Sequence, residues 1–210
     1  MARLILILLA VASFVSCTTE FTSESEMREW LNDPSNGLIS GKKVGGFDLS
    51  MKYMPYDLLA YKEIKKDKSA TQEVLDSVAE LYDNSYTFIL SIGSDESAGE
   101  NFDVMHLGVY DEDAYNQRIR NLNFHLDKYI SLETGKSTYK PVLTRLENVY
   151  GLSKARMVYI VFAPDSEEED LLVANELDIK FNDDIFNTGI HHFKFNKSDI
   201  VAMPKLKIEN

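Results

Sequence analysis

Two uninterrupted apolar segments constrain the fold of this chain more than any other feature. Residues 86–92 read YTFILSI, and residues 157–162 read MVYIVF. Segments of this length that are rich in aromatic and β-branched residues are typical of strands buried on both faces, since a half-buried strand alternates apolar with polar residues. We therefore expect both segments to be central strands of a sheet.

The remaining strand and helix signals are more local. Apolar residues alternate with polar ones in residues 47–53, which indicates a half-buried strand. Ser23 and Glu26 have the spacing of a capping box, and Pro55 and Thr71 stand where a helix can begin. Helices are accordingly predicted from Ser23 onwards, at residues 56–64, from Thr71 onwards and at residues 112–124, and further strands at residues 104–110, 126–132, 139–150, 171–181 and 190–195.

These signals predict an α+β fold. They amount to about seven strands and about four helices, without a strict alternation of strand and helix along the chain. We expect a largely antiparallel mixed sheet of about seven strands, with the helices packed on it, in a single domain formed by residues 27–210. A division into two domains near residues 67–70 is the alternative, although neither half of the chain looks compact by itself.

The N-terminal segment has the layout of a secretory signal peptide. Arg3 precedes an apolar run at residues 4–15, which is shorter than the roughly 20 residues that a membrane-spanning helix needs. Small residues follow the run, and Cys17 stands directly after Ser16. Residues 1–16 are therefore predicted to be a signal peptide.

The residues that end at Cys17, the single cysteine of the chain, resemble the lipobox of bacterial lipoproteins. In that motif a small residue precedes a cysteine that is lipidated and becomes the new N-terminus, and Phe14 stands here where Leu is usual. The resemblance covers residues 1–17 and implies a lipid-anchored Cys17, with residues 17–26 as a polar tether. Because Thr18 rather than Asp follows the cysteine, it also implies sorting to the outer membrane of a Gram-negative bacterium.

Charge and cysteine content exclude several functional classes. The chain has 34 Asp and Glu against 22 Lys and Arg, a formal net charge of −12. This balance argues against a nucleic-acid partner, because binding to phosphates needs clustered Lys and Arg. A single cysteine excludes a disulfide framework and a cysteine-based zinc site.

Three segments approach a catalytic motif, and each lacks a part that the chemistry needs. Residues 133–137 read ETGKS, but Ile130 stands where a phosphate-binding loop has its first glycine, so a hairpin turn with Gly135 at positive φ is expected. Residues 151–155 read GLSKA, but a strand follows where a nucleophile elbow continues into a helix. Residues 137–140 have S-x-x-K spacing, but the proline that follows them opposes a helical turn. No catalytic residue is predicted.

Histidines and acidic runs give no metal-binding pattern. His191 and His192 are adjacent in a predicted strand, where they would point to opposite faces and so could not readily ligate one metal. His191 shares its face with Phe193 and is expected in the core, whereas His192 is expected to be exposed. The acidic residues at 111–113 and 165–170 lack the spacing and central glycine of an EF-hand loop. No metal and no cofactor are predicted.

Four aromatic residues are candidates for a ligand-binding or partner-binding surface: Trp30, Tyr53, Tyr56 and Tyr61. Tyrosine and tryptophan suit such surfaces because they combine a large apolar area with a polar group. At helix and strand spacing they are also typical of the core and its boundary, which is the alternative interpretation.

The sequence therefore predicts an outer-membrane-anchored lipoprotein that acts as a non-enzymatic binding or assembly module, through an envelope protein or a ligand as partner. In general terms residues 18–210 resemble small envelope lipoproteins of Gram-negative bacteria. A lipid-anchored hydrolase of envelope or glycan polymers is one alternative, since the separation of an acid–base carboxylate pair is a property of the folded chain. A soluble periplasmic ligand-binding protein with an ordinary signal peptide is the other.

Overall fold

The computed structural model describes residues 20–21, 23–95, 103–147, 155–164 and 170–208. Within these residues the helices, in chain order, are α1 (Glu24–Asn32), α2 (Tyr56–Ile64), α3 (Gln72–Ala79), α4 (Glu112–Phe124) and α5 (Lys197–Val201). The strands are β1 (Glu20–Phe21), β2 (Ile39–Val44), β3 (Phe47–Met54), β4 (Tyr86–Ser94), β5 (Ile130–Glu133), β6 (Thr138–Tyr139), β7 (Leu143–Leu146), β8 (Arg156–Phe162), β9 (Glu176–Asp183), β10 (Gly189–Asn196) and β11 (Lys205–Leu206).

The predicted α+β fold is confirmed, with its strands arranged in two antiparallel sheets rather than one. The five-stranded sheet has the order β2-β3-β4-β8-β7, and the four-stranded sheet has the order β10-β9-β5-β6. Strands β1 and β11 form a separate parallel pair. Strands β9 and β10 bury only alternate residues, as expected of strands in a second layer that packs one face on the first sheet.

The hydrophobic core lies between the two sheets. The ring centroid of Phe88 in β4 is 5.0 Å from that of Phe195 in β10. Phe47 in β3 likewise approaches Phe186, in the turn after β9, to 5.1 Å. Aromatic contacts of this kind stabilise the fold beyond the apolar area that they bury. Other buried residues of the two sheets include Leu49, Met51, Leu90, Ile92, Val158, Ile160, Leu177, Ile179 and Phe181.

The helices begin where the sequence indicates. The hydroxyl of Ser23 accepts a hydrogen bond from the N–H of Glu26 at 3.2 Å, and the Glu26 carboxylate accepts one from the N–H of Ser23, so the predicted capping box of α1 is confirmed. Helix α2 follows Pro55, and the hydroxyl of Thr71 caps α3. Within the described residues, no helix is both long and apolar enough to span a bilayer.

The prediction of a strand at residues 104–110 is wrong, because residues 104–108 form turns and residues 109–110 belong to no strand or helix. The buried guanidinium of Arg118 in α4 donates from Nη1 to the carbonyl oxygens of Val104 at 3.0 Å, Met105 at 3.1 Å and Leu107 at 2.8 Å. These carbonyls therefore obtain from one side chain the hydrogen bonds that a neighbouring strand would otherwise provide.

Other predicted strands are shorter in the structure. The segment 126–132 begins as a 3-10 helix, Leu126–Lys128, before β5. The extended segment from residue 139 onwards separates into β6 and β7 around Pro141, which cannot donate a hydrogen bond to a ladder. The strand expected at 171–181 starts only at β9. Strand β2 and helix α5 were not predicted.

Several predicted features lie outside the described residues. They are the signal peptide at residues 1–16, the lipidation site Cys17, residues 151–154 of the GLSKA segment and the acidic residues 165–169. The lipoprotein assignment thus remains a prediction from the sequence.

Candidate functional site

The five-stranded sheet has a second face, opposite the one that packs on the core. The strand register places Ile39, Lys52, Ile89, Tyr159 and Arg145 directly opposite one another, in the order β2-β3-β4-β8-β7. Side chains of directly paired residues project from the same side of a sheet. These five side chains therefore form one row across the whole outer face.

Two further rows flank this one. One consists of Met54, Thr87, Val161 and Leu143, and the other of Gly41, Ser50, Ser91 and Met157. Over the three rows lie two adjoining depressions of about 960 and 470 Å³, which share Lys62, Glu147 and Tyr159 in their lining. We refer to the two depressions together as the outer-face groove.

Along β8 the floor of the outer-face groove is apolar and partly open, whereas Ser50 of β3 and Ser91 of β4 are polar residues of the floor. In β8, Met157, Tyr159 and Val161 alternate with fully buried residues and are themselves only half-buried. Ile89 in the adjacent strand is 9% exposed. The segment 157–162 is thus apolar on both faces, but only one of its faces lies in the core.

Basic side chains from four elements line the groove: Arg28 of α1, Lys52 of β3, Lys62 of α2 and Arg145 of β7. Lys52 Nζ donates a hydrogen bond to Asn32 Oδ1 at 2.7 Å. Lys62 Nζ lies 3.4 Å from the Tyr159 hydroxyl and 5.6 Å from the centroid of its ring. The two lysine ammonium groups therefore contact neutral acceptors at the edge of the apolar floor.

These basic groups repel one another. Burial lowers the pKa of Lys52, and the charges of Arg28 and Lys62 lower it further. Within the described part of the chain, neither Lys52 nor Lys62 forms an ion pair, whereas Arg28 Nη2 lies 2.5 Å from Glu24 Oε1. The groove therefore holds positive charge for which the described carboxylates compensate only in part.

Two glutamates also line the groove. The carboxylate of Glu63 in α2 accepts a hydrogen bond from the hydroxyl of Tyr82. Glu147 follows β7, and its N–H donates to the carbonyl of Met157 at 2.7 Å, so its backbone lies beside β8. Glu147 and Lys52 therefore approach the groove from opposite sides.

The four aromatic residues predicted to form one surface differ in burial and in location. Tyr53 is only 2% exposed and packs between the rings of Tyr86 and Phe88, so its assignment to a surface is wrong: its position in β3 faces the core. Trp30 and Tyr61 are half-buried against the core. The half-buried Tyr56 borders a different pocket.

The pocket beside Tyr56 is acidic. It has a volume of about 440 Å³ and lies between α2, α3 and the C-terminal segment. Asp57, 8% exposed, accepts a hydrogen bond from the N–H of Leu206 at 3.4 Å, and burial raises the pKa of its carboxyl. Lys205 and Lys207 also line this pocket. In the described residues, no group of three or more His, Cys, Asp and Glu side chains is placed to hold a metal ion.

The histidine predictions are confirmed. His191 is 5% exposed on the core face of β10, whereas His192 is exposed and lies 3.0 Å from Asp178. His191 Nε2 is 2.8 Å from the Thr188 hydroxyl, which also contacts the carboxylate of Asp183. Burial lowers the pKa of His191. The carboxylate thus contacts the hydroxyl rather than the imidazole, which is not the order of groups in a nucleophilic triad.

The turn predicted at Gly135 is confirmed, and the S-x-x-K segment is not helical. Gly135 has a φ of 85° in the turn between β5 and β6, as expected of a hairpin rather than a phosphate-binding loop. Residues 138–139 of the S-x-x-K segment form β6. Its serine and lysine therefore do not lie on successive turns of a helix.

The groove residues were missed at the sequence level, although a signal for them exists. Positions 157, 159 and 161 are apolar where a one-sided strand of an antiparallel sheet would carry polar residues. Such a pattern is typical of a strand buried on both faces. The alternative, an apolar face left open for a ligand, gives the same sequence pattern.

Comparisons with known proteins add one distant structural likeness. No protein-family model matches the chain, and no curated protein matches it. The chain is similar to a solved structure described as a novel protein of unknown function from Burkholderia pseudomallei K96243, with 10% sequence identity and a TM-score of 0.40 over 85% of this chain and 87% of the other. Similarity at this level does not establish a shared fold.

Proposed function

We propose that this protein is a lipid-anchored binding module of the cell envelope, and that its ligand site is the outer-face groove. The observation that carries the proposal is the partly open apolar floor formed by Ile89, Met157, Tyr159 and Val161. Antiparallel sheets commonly expose one face to water, and that face is then typically polar. An apolar exposed face bordered by polar groups is instead typical of a ligand-binding or partner-binding surface.

The shape of the groove supports the same proposal. Its floor belongs to β4 and β8, strands paired on both sides within the five-stranded sheet, so the floor residues rest on a rigid element. Its walls come from α1, α2 and the segment around Glu147. A site with a rigid floor and polar walls can bind a ligand without first ordering a loop, which lowers the entropic cost of binding.

The anchor is proposed from the sequence. Acylation of Cys17 would hold the domain at the outer membrane through the polar segment 17–26, because each buried CH₂ group of an acyl chain contributes about 0.8 kcal/mol. The substitution Cys17→Ser should move the full chain from the membrane fraction to the soluble periplasmic fraction. If both forms fractionate identically, the anchor proposal is wrong and the groove proposal is unaffected.

The proposal that the groove binds a ligand is tested by a substitution that fills the groove with a large side chain. Ser91 lies in the floor, and Ser131 occupies a comparable outward position on β5 of the other sheet. We expect Ser91→Trp to abolish the binding of a neutral apolar dye, N-phenylnaphthylamine, and Ser131→Trp to leave that binding unchanged. Both variants should retain the circular dichroism spectrum of the parent chain. Equal dye affinity in the folded Ser91→Trp variant would contradict the proposal.

A further inference from the structure

We propose that the ligand of the outer-face groove is an organic anion with a flat apolar body, whose charged group lies among Arg28, Lys52 and Lys62 while its body covers Ile89 and Tyr159. This inference rests on the proposed function and names the chemical class that the groove would select. The charged group can be a carboxylate, sulfate or phosphate, since all three present oxygen acceptors to Lys and Arg.

The geometry brings positive charge and an aromatic ring together. Lys52 and Tyr159 belong to one cross-strand row and are separated only by Ile89, so their backbones lie about 10 Å apart, or two strand spacings. The ammonium group of Lys62 lies over the Tyr159 ring, 5.6 Å from its centroid. A flat ligand on Ile89 and Tyr159 would thus have an ammonium group within reach on two sides.

The charge distribution favours an anion. The chain has a net charge of −12, yet Arg28, Lys52 and Lys62 converge here, and among the described residues the two lysines donate to neutral acceptors, Asn32 Oδ1 and the Tyr159 hydroxyl. Like charges in a partly desolvated site destabilise the unoccupied state. An anion would convert the repulsion around Lys52 into attraction, whereas a cation would add to it.

The orientation of the ligand follows from where charge is compensated in the groove. Glu147 follows β7 and lies beside β8, on the far side of the sheet from Lys52 on β3. Arg145 of β7 lines the same end of the groove and offsets the charge of this carboxylate, so the uncompensated positive charge lies at Lys52 and Lys62. We therefore expect the ligand to lie across the strands, with its charged end at Lys52.

The test uses two dyes that differ only in charge. Anilinonaphthalene sulfonate carries a sulfonate on the ring system that N-phenylnaphthylamine presents without charge. Both are titrated by fluorescence into the full chain carrying Cys17→Ser, which removes the site of lipid attachment. We expect Lys52→Gln and Lys62→Gln each to weaken binding of the sulfonate dye about fivefold and to change the affinity for the neutral dye by a much smaller factor. Added salt should weaken binding of the sulfonate dye alone.

The matched control is Lys128→Gln, which removes the same charge from an exposed position beside β5 and should change neither affinity. Ser91→Trp could block binding of both dyes while Lys52→Gln and Lys62→Gln leave the affinity for the sulfonate dye unchanged. That result would support the groove as a binding site and would overturn the anion inference. If Ser91→Trp blocks neither dye, the proposed function fails as well. If Lys128→Gln weakens binding as much as Lys52→Gln, the effect is one of net charge, and the inference is again overturned.

Discussion

At the scale of the residue, we expect Lys52 to strengthen anion binding and to lower the stability of the fold. Its folded-state pKa is lowered, which means that the unfolded chain holds the proton more tightly. The charged lysine therefore destabilises the fold at every pH below its folded pKa, and the penalty fades as the pH rises toward the ordinary value of 10.5. The same charge is the one that would attract the anion.

We accordingly predict that Lys52→Gln leaves the free energy of unfolding at neutral pH unchanged or raises it. The amide of glutamine can still donate a hydrogen bond toward Asn32. Urea unfolding at pH 7, followed by circular dichroism, measures the difference. A loss of more than about 1 kcal/mol, the upper range for an exposed ion pair, would mean that Lys52 stabilises the fold and is not held there at a cost.

Asp57 gives a second prediction at this scale. Burial raises the pKa of its carboxyl above the ordinary 3.8, so the folded chain holds this proton more tightly, and stability falls as the pH rises through the raised pKa. Asp57→Asn should therefore stabilise the protein at pH 7, with a gain that vanishes as the pH approaches 3.8. The asparagine oxygen can still accept from the N–H of Leu206.

The control for this comparison is Glu80→Gln, since Glu80 lines the same pocket from an exposed position. It removes an equal charge and should give little change in stability at either pH. Melting temperatures of the three proteins at several pH values suffice. A gain in Asp57→Asn that persists unchanged at low pH would show that the buried charge is not its cause.

At the scale of the element, Arg118 determines the conformation of residues 103–108. Three carbonyl oxygens converge on its Nη1 atom, and its guanidinium stacks on Phe186 at 4.5 Å. Arg118→Met should cost about 3 kcal/mol, because it removes the guanidinium donor from the carbonyls of Met105 and Leu107. Hydrogen exchange should accelerate in this segment first. Arg120→Met, at an exposed position of the same helix, should have little effect, and equal losses in the two variants would contradict this role.

The same element shows what local sequence signals can and cannot predict. The Ser23–Glu26 capping box and the alternation in β3 involve residues close together in the chain, and both are confirmed. The residues at 104–110 have apolar character suited to a strand, but their hydrogen bonds come from Arg118, more than ten positions away. A hydrogen bond between a side chain and a backbone group so far apart in the chain leaves no periodic pattern in the sequence.

At the scale of the whole molecule, the two sheets determine where the candidate site lies. The four-stranded sheet covers only the inner face of the other, as the contact between Phe88 and Phe195 shows. The outer-face groove is assembled by pairings such as Tyr159 with Arg145 and Lys52 with Ile89. The apolar segments predicted the strands, but neither the number of sheets nor these neighbours follow from composition or periodicity. The pattern in β8 is compatible with an apolar outer face, but the location of the site and its walls could not be predicted for that reason.

The most direct test of the central claim is to map by amide NMR where anilinonaphthalene sulfonate binds on the full chain carrying Cys17→Ser. Binding in the outer-face groove predicts that the largest chemical-shift changes occur at Lys52, Ile89 and Tyr159, with smaller ones in the flanking rows. Strands β9 and β10 should change little. Shift changes concentrated in the four-stranded sheet, or in the acidic pocket beside Asp57, would contradict the assignment of the groove as the ligand site.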